Sequence, residues 1–70
     1  MTAKPRKRWR LTLTGPDVRA QSDHGSETAA YSLMRAALKG DDSPADTGEV
    51  RHWEDGRWVL WERITADELP

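Results

Sequence analysis

The chain has no cysteine and no phenylalanine, and only one isoleucine and one tyrosine among its 70 residues. Without cysteine there is no disulfide scaffold, no thiolate zinc site and no thiol nucleophile. Leu, Ile and Val together number ten. That share falls below the ~20% which, combined with a high net charge, marks disordered chains. The formal net charge is only −1, so the second condition fails and a folded but marginal domain is expected. No apolar run approaches the ~18–20 residues needed to span a bilayer. The first eight residues carry no apolar stretch behind their positive charges, so no secretory signal is expected and the cytoplasm is the default location. Seventy residues hold a single domain at most.

Four tryptophans are the main apolar resource: Trp9, Trp53, Trp58 and Trp61. Each indole can bury ~150–250 Å², and together they are expected to supply much of the burial. The usage of Arg, Ala, Asp and Trp points to a bacterial or phage protein.

The small net charge conceals an asymmetry. Residues 1–10 hold Lys4, Arg6, Lys7, Arg8 and Arg10 with no acid, whereas residues 11–70 hold six basic groups and all twelve acidic ones. Basic arms of this kind commonly bind nucleic acid, and equally commonly serve as solvated termini. A second block, Asp41 to Glu49, is acidic and broken by Pro44. It reads as a surface loop without the ligand spacing of an EF-hand.

Residues Arg8 to Thr14 alternate: Trp9, Leu11 and Leu13 on one side, Arg8, Arg10, Thr12 and Thr14 on the other. Such period-2 alternation predicts a strand with one buried face. A turn at Gly15-Pro16 and a second strand, Asp17 to Ser22, follow. This register pairs Leu13 with Val18 and Leu11 with Ala20, and places Arg19 and Gln21 with Arg10 and Thr12. After a loop at Asp23–Gly25, Ser26 is a helix N-cap, Glu27 to Lys39 a run of good helix formers, and Gly40 a stop. Ala30, Leu33, Met34, Ala37 and Leu38 form its apolar stripe.

The pair Glu49–Trp53 and Arg57–Ile64 flanks Glu54-Asp55-Gly56, a strong hairpin signal. A two-residue Asp55-Gly56 loop would set Trp53 opposite Trp58. A three-residue loop would pair His52 with Trp58 and Val50 with Leu60. The second sorts residues better by polarity and is preferred. The expected fold is therefore α+β, ββαββ, with two hairpins forming a four-stranded antiparallel sheet and one helix packed on one face. Residues 1–8 would be a basic flexible arm, 9–64 the domain and 65–70 a tail.

Under that register the uncovered sheet face collects Arg8, Arg10, Arg19, Arg51, Arg57 and Arg63 with Trp53 and Trp61, opposed by Asp17 and Glu49. Arginine forks onto phosphate or guanine edges, and tryptophan stacks on bases. With Arg6 and Lys7 of the arm, these residues are the candidate interface for nucleic acid, DNA more than RNA. The competing explanation is that charged side chains line any solvated sheet face and cover it with their stems. A pI near 6.1 is also low for a nucleic-acid binder. The alternative reading is a protein-interaction module, a regulator or inhibitor docking through the Trp face or a sheet edge, possibly as a homodimer.

Enzymatic chemistry is not expected. His24 and His52 are the only histidines, and their carboxylate neighbours Asp23, Glu49 and Glu54 show no metal-ligand spacing. A Ser22 or Ser26 nucleophile with His24 and Asp23 would need a pocket that so small a domain rarely offers. The glycines are scattered at turns and form no phosphate loop. No cofactor or metal is implied, and no membrane partner.

Overall fold

In the computed structural model, which describes residues 6–39 and 45–68, the alternating N-terminal segment forms β1 (Trp9–Gly15) and turns into β2 (Val18–His24). Helix α1 (Glu27–Lys39), β3 (Thr47–Glu54), β4 (Arg57–Thr65) and a 3-10 turn (Ala66–Glu68) follow. The four strands make one antiparallel sheet in the order β2-β1-β3-β4, so the expected ββαββ arrangement is the observed one. Gly40, Asp41, Asp42, Ser43 and Pro44, the expected helix stop and much of the acidic loop, lie outside the described residues. So do residues 1–5, including Lys4, and residues 69–70.

The first turn uses Pro16-Asp17, not Gly15-Pro16: Gly15 pairs with Val18, Leu13 with Ala20 and Leu11 with Ser22. Proline fixes φ near ~−65°, which suits the first central position of a type I turn and not the second. Gly15 therefore completes β1. The shift moves each pair by two residues, so the faces stay as expected.

The second turn corrects the preferred register. Asp55 and Gly56 both have positive φ, 50° and 81°, the requirement of a two-residue type I′ hairpin. Glu54 pairs with Arg57 and Trp53 with Trp58. The ladder then changes step: Arg51 opposes Leu60 whereas Val50 opposes Glu62, leaving Trp61 as the extra residue of a β-bulge. Beyond it Ile64 rejoins the helix side and Arg63 the open side, as polarity sorting required. Between turn and bulge the faces are reversed: Trp58 and Leu60 point to the open side, and Arg57, Val59 and Trp61 to the helix side.

Helix α1 starts where Ser26 Oγ accepts from the Ala29 N–H at 3.1 Å. It packs mainly over β1, β3 and β2, and meets β4 through the Tyr31–Glu62 hydrogen bond at its flank. Leu11, Met34 and Val50 are fully buried, with Leu38 and Ala45 beside them. The fully buried core is thus aliphatic: of the four indoles only Trp9 packs against it, whereas Trp53 and Trp58 are half-buried on the uncovered face. The reason is the close approach of helix and sheet. A Cβ on Gly48 would lie 2.6 Å from Met34 Cγ and Sδ, which leaves no depth for a bicyclic ring. Leu33, placed in the apolar stripe by its spacing, is instead 42% exposed on the helix flank.

Candidate nucleic-acid interface

Alternation fixes the uncovered face. Arg10, Thr12 and Thr14 of β1 share it with Arg19, Gln21 and Asp23 of β2, with Glu49, Arg51 and Trp53 of β3, and with Trp58, Leu60 and Arg63 of β4. The residues here differ from expectation on β4 and β2. Trp61 and Arg57 leave the face, Trp58 and Leu60 join it, and Asp23 rather than the turn residue Asp17 supplies the second acid. The cause in each case is turn chemistry: the Asp55-Gly56 loop and the bulge for β4, the Pro16-Asp17 loop for β2.

At the end of the face nearest the Asp55-Gly56 turn, four side chains form a row. Arg10 Nε donates to Asp23 Oδ1 at 2.8 Å and its Nη2 to Oδ2 at 3.2 Å. The guanidinium of Arg10 stands 4.0 Å from the centroid of the Trp58 ring, a cation–π contact. Trp58 meets Trp53 edge to face, with centroids 5.3 Å apart and planes at 73°. The hydrogen bonds from Arg10 hold Asp23 below the usual carboxylate range, and the same bonds raise the pKa of Arg10. Arg51 pairs with Glu49 at 3.5 Å, and Thr12 beneath these long side chains is only 4% exposed. Arg19, Arg57 and Arg63 form no ion pair with another described residue.

The arm enters this row through the backbone. The Trp53 N–H donates to the Arg8 carbonyl at 2.9 Å, so the β1–β3 pairing continues one residue past Trp9. Arg8 is thereby set opposite Trp53 on the uncovered face. Arg6, Lys7 and Arg8 are all exposed.

The helix side carries a second aromatic group. Trp9 lies 4.3 Å from His52 and 5.3 Å from Trp61, and His52 lies 5.9 Å from Trp61. Trp61 is 51% exposed. A cleft of about 410 Å³ opens there between α1 and β4, lined by Glu27, Thr28, Tyr31, Ser32, Arg35, Trp61 and Glu62. Tyr31 Oη donates to Glu62 Oε1 at 2.5 Å. Burial and this hydrogen bond raise the Tyr31 pKa well above its ordinary value. Glu62, which breaks the apolar sorting of β4, thus has its partner on the helix.

Ser22 Oγ lies 2.8 Å from His24 Nε2, since residues two apart on a strand share a face. Asp23 points to the opposite face and is held by Arg10, so it cannot orient His24 as a third catalytic member. Ser26 is engaged as the helix cap. His52 Nδ1 is 4.0 Å from Glu54 Oε1. Among the described residues, no group of three or more His, Asp and Glu side chains is placed to hold a metal ion. No described helix is long and apolar enough to cross a membrane.

The role of Trp58 was hidden in the sequence because it depends on one residue of loop length. The signal that finds it is the Asp-Gly pair itself, whose preference for type I′ geometry outweighs polarity sorting next to the turn. Comparison with protein-family models, with curated proteins and with solved structures gives no match to this chain.

Proposed function

We propose that this protein binds nucleic acid, DNA in particular, through its uncovered sheet face at the end nearest the Asp55-Gly56 turn. One observation carries the reading: Trp53 and Trp58 sit edge to face at 5.3 Å between Arg10, which covers Trp58, and Arg8, whose carbonyl is bonded to the Trp53 N–H. Cationic and aromatic groups thus lie together across β1, β3 and β4 at one end of the sheet. Side chains on such a face can reach base edges in the wide major groove of B-form DNA, whereas the major groove of A-form RNA is too narrow for them. Arg6, Lys7 and Arg8 continue from this face and would follow a phosphate backbone, with Arg19 and Arg63 reaching further phosphates.

The test is a fluorescence-anisotropy titration of labelled duplex DNA with the full chain at several salt concentrations. With about five phosphate contacts, log K is expected to fall against log salt with a slope of ~−4 to −5. Arg8→Ala should lower that slope by about one, and Trp53→Ala should weaken binding by ~1–3 kcal/mol. Binding that is absent, or indifferent to salt, overturns the reading.

A second reading, docking of a protein, draws on Trp61, 51% exposed on the helix side. The two are separable because Trp61 faces away from the proposed DNA surface. Trp61→Ala leaves DNA binding intact in the first reading and abolishes partner binding in the second.

A further inference from the structure

We infer that the free edge of β2 pairs with the same edge of a second copy of this chain. The inference concerns self-association and is tested without nucleic acid, although Arg19 belongs to both surfaces. In an antiparallel sheet each residue directs both its N–H and its C=O to one neighbour. The Trp53–Arg8 bond fixes which residues of β1 face β3: those of even number. The odd ones therefore face β2, where they pair with Val18, Ala20, Ser22 and His24. Arg19, Gln21 and Asp23 are left with backbone groups directed outward along an edge that no other described strand pairs with.

This edge is self-complementary. Set antiparallel to its own copy about a two-fold axis through Gln21, it places Gln21 opposite Gln21 of the second copy and Arg19 opposite Asp23. Those outward backbone groups then bond across the axis in narrow pairs, two hydrogen bonds to each pair. Arginine and aspartate face each other twice, on the same side of the sheet, as opposite-charge cross-strand pairs do. Asp23 already accepts from Arg10, and its carboxylate retains lone pairs for a second guanidinium. The other edge is less suited: the bulge at Trp61 interrupts the outward groups of β4. No bulge or proline interrupts Val18–His24.

The helix gives independent support. Its Tyr31 flank leans toward β4 through Glu62. The opposite flank, toward β2, presents Ala29, Leu33 and Ala36, all exposed, and Leu33 is 42% so. In the dimer the two helices lie on the same side of a continuous eight-stranded sheet, with these flanks facing across the axis. Leu33 is the middle residue of α1, as Gln21 is of β2. The exposure that contradicts the expected apolar stripe thus has an occupant of the right chemistry, a second Leu33.

The experiment is sedimentation equilibrium of the full chain from about 1 μM to about 1 mM, paired with amide hydrogen exchange over the same range. Wild type should dimerise, and the Arg19, Gln21 and Asp23 amides should exchange more slowly as concentration rises. Gln21→Pro removes only an outward N–H, so the monomer should keep its circular dichroism and lose the dimer. Arg19→Glu sets like charges opposite Asp23 twice and should raise the dimer Kd about tenfold. Leu33→Lys should weaken the dimer without touching β2. A chain monomeric throughout overturns the inference. So does a dimer unchanged by Arg19→Glu and Leu33→Lys, or protection of those three amides that ignores concentration.

Discussion

The guanidinium of Arg10 lies 4.0 Å from the centroid of the Trp58 ring, although β3 runs between their strands. Arg10 spans that distance because Asp23 holds the other side of its fork. Asp23 has its pKa depressed chiefly by these hydrogen bonds. A depressed acid stabilises the fold above its unfolded pKa, ~3.9, and loses that contribution as pH falls through the lower folded value. Both side chains are partly exposed, so the effect is small, under ~1 kcal/mol. Asp23→Asn should therefore cost little at neutral pH and flatten the loss of stability below pH ~4. Urea unfolding of both chains across that range measures it.

Tyr31 shows the opposite sign. Its phenol is raised by burial and by donation to Glu62, so its neutral form is favoured in the fold. That stability is complete below the unfolded pKa, ~10, and is lost as pH rises through the folded value. Tyr31→Phe should be less stable than wild type at pH 8 by ~1 kcal/mol, with the difference shrinking above pH 10. Unfolding curves of both chains at alkaline pH read this directly.

Gly48 is where the sheet admits the helix. A methyl group there would meet Met34 Cγ and Sδ at 2.6 Å, and Met34 is fully buried. Gly48→Ala should destabilise by ~1–3 kcal/mol through overpacking, seen as a lower denaturation midpoint with an unchanged m-value.

The hairpin turn rests on φ of 81° at Gly56 and 50° at Asp55. Gly56→Ala forces a Cβ into that region at a cost of ~1–2 kcal/mol. Asp55→Asn keeps a residue that tolerates it and should be near neutral. Thermal unfolding of the two variants should separate them by several degrees.

The helix bounds, the number of strands and the two faces of β1 and β2 were legible because each follows from local chemistry. Ser26 caps, Leu11 and Trp9 alternate with Arg10, and Pro16 and Gly56 punctuate. What was not legible depended on competition between signals. Polarity favoured one register of the β3–β4 hairpin and the Asp55-Gly56 turn another, and the bulge at Trp61 satisfied both. The open face was thus right for Arg10, Arg19, Arg51, Arg63 and Trp53, and wrong for Trp61 and Arg57. That only Trp9 of the four indoles would touch the fully buried core was not legible, because the depth between helix and sheet at Gly48 is a tertiary quantity. Leu33 fitted the helical period yet lies on the flank toward β2, the edge strand opposite β4, and is 42% exposed there.

The most direct test of the proposed interface is an NMR titration of the four indole N–H resonances with a short DNA duplex at low salt. Resonances of Trp53 and Trp58 should shift or broaden as duplex is added, while those of Trp9 and Trp61, on the helix side, stay in place. Movement of Trp9 and Trp61 instead, or of none of the four at saturating duplex, would contradict the assignment of that face to nucleic acid.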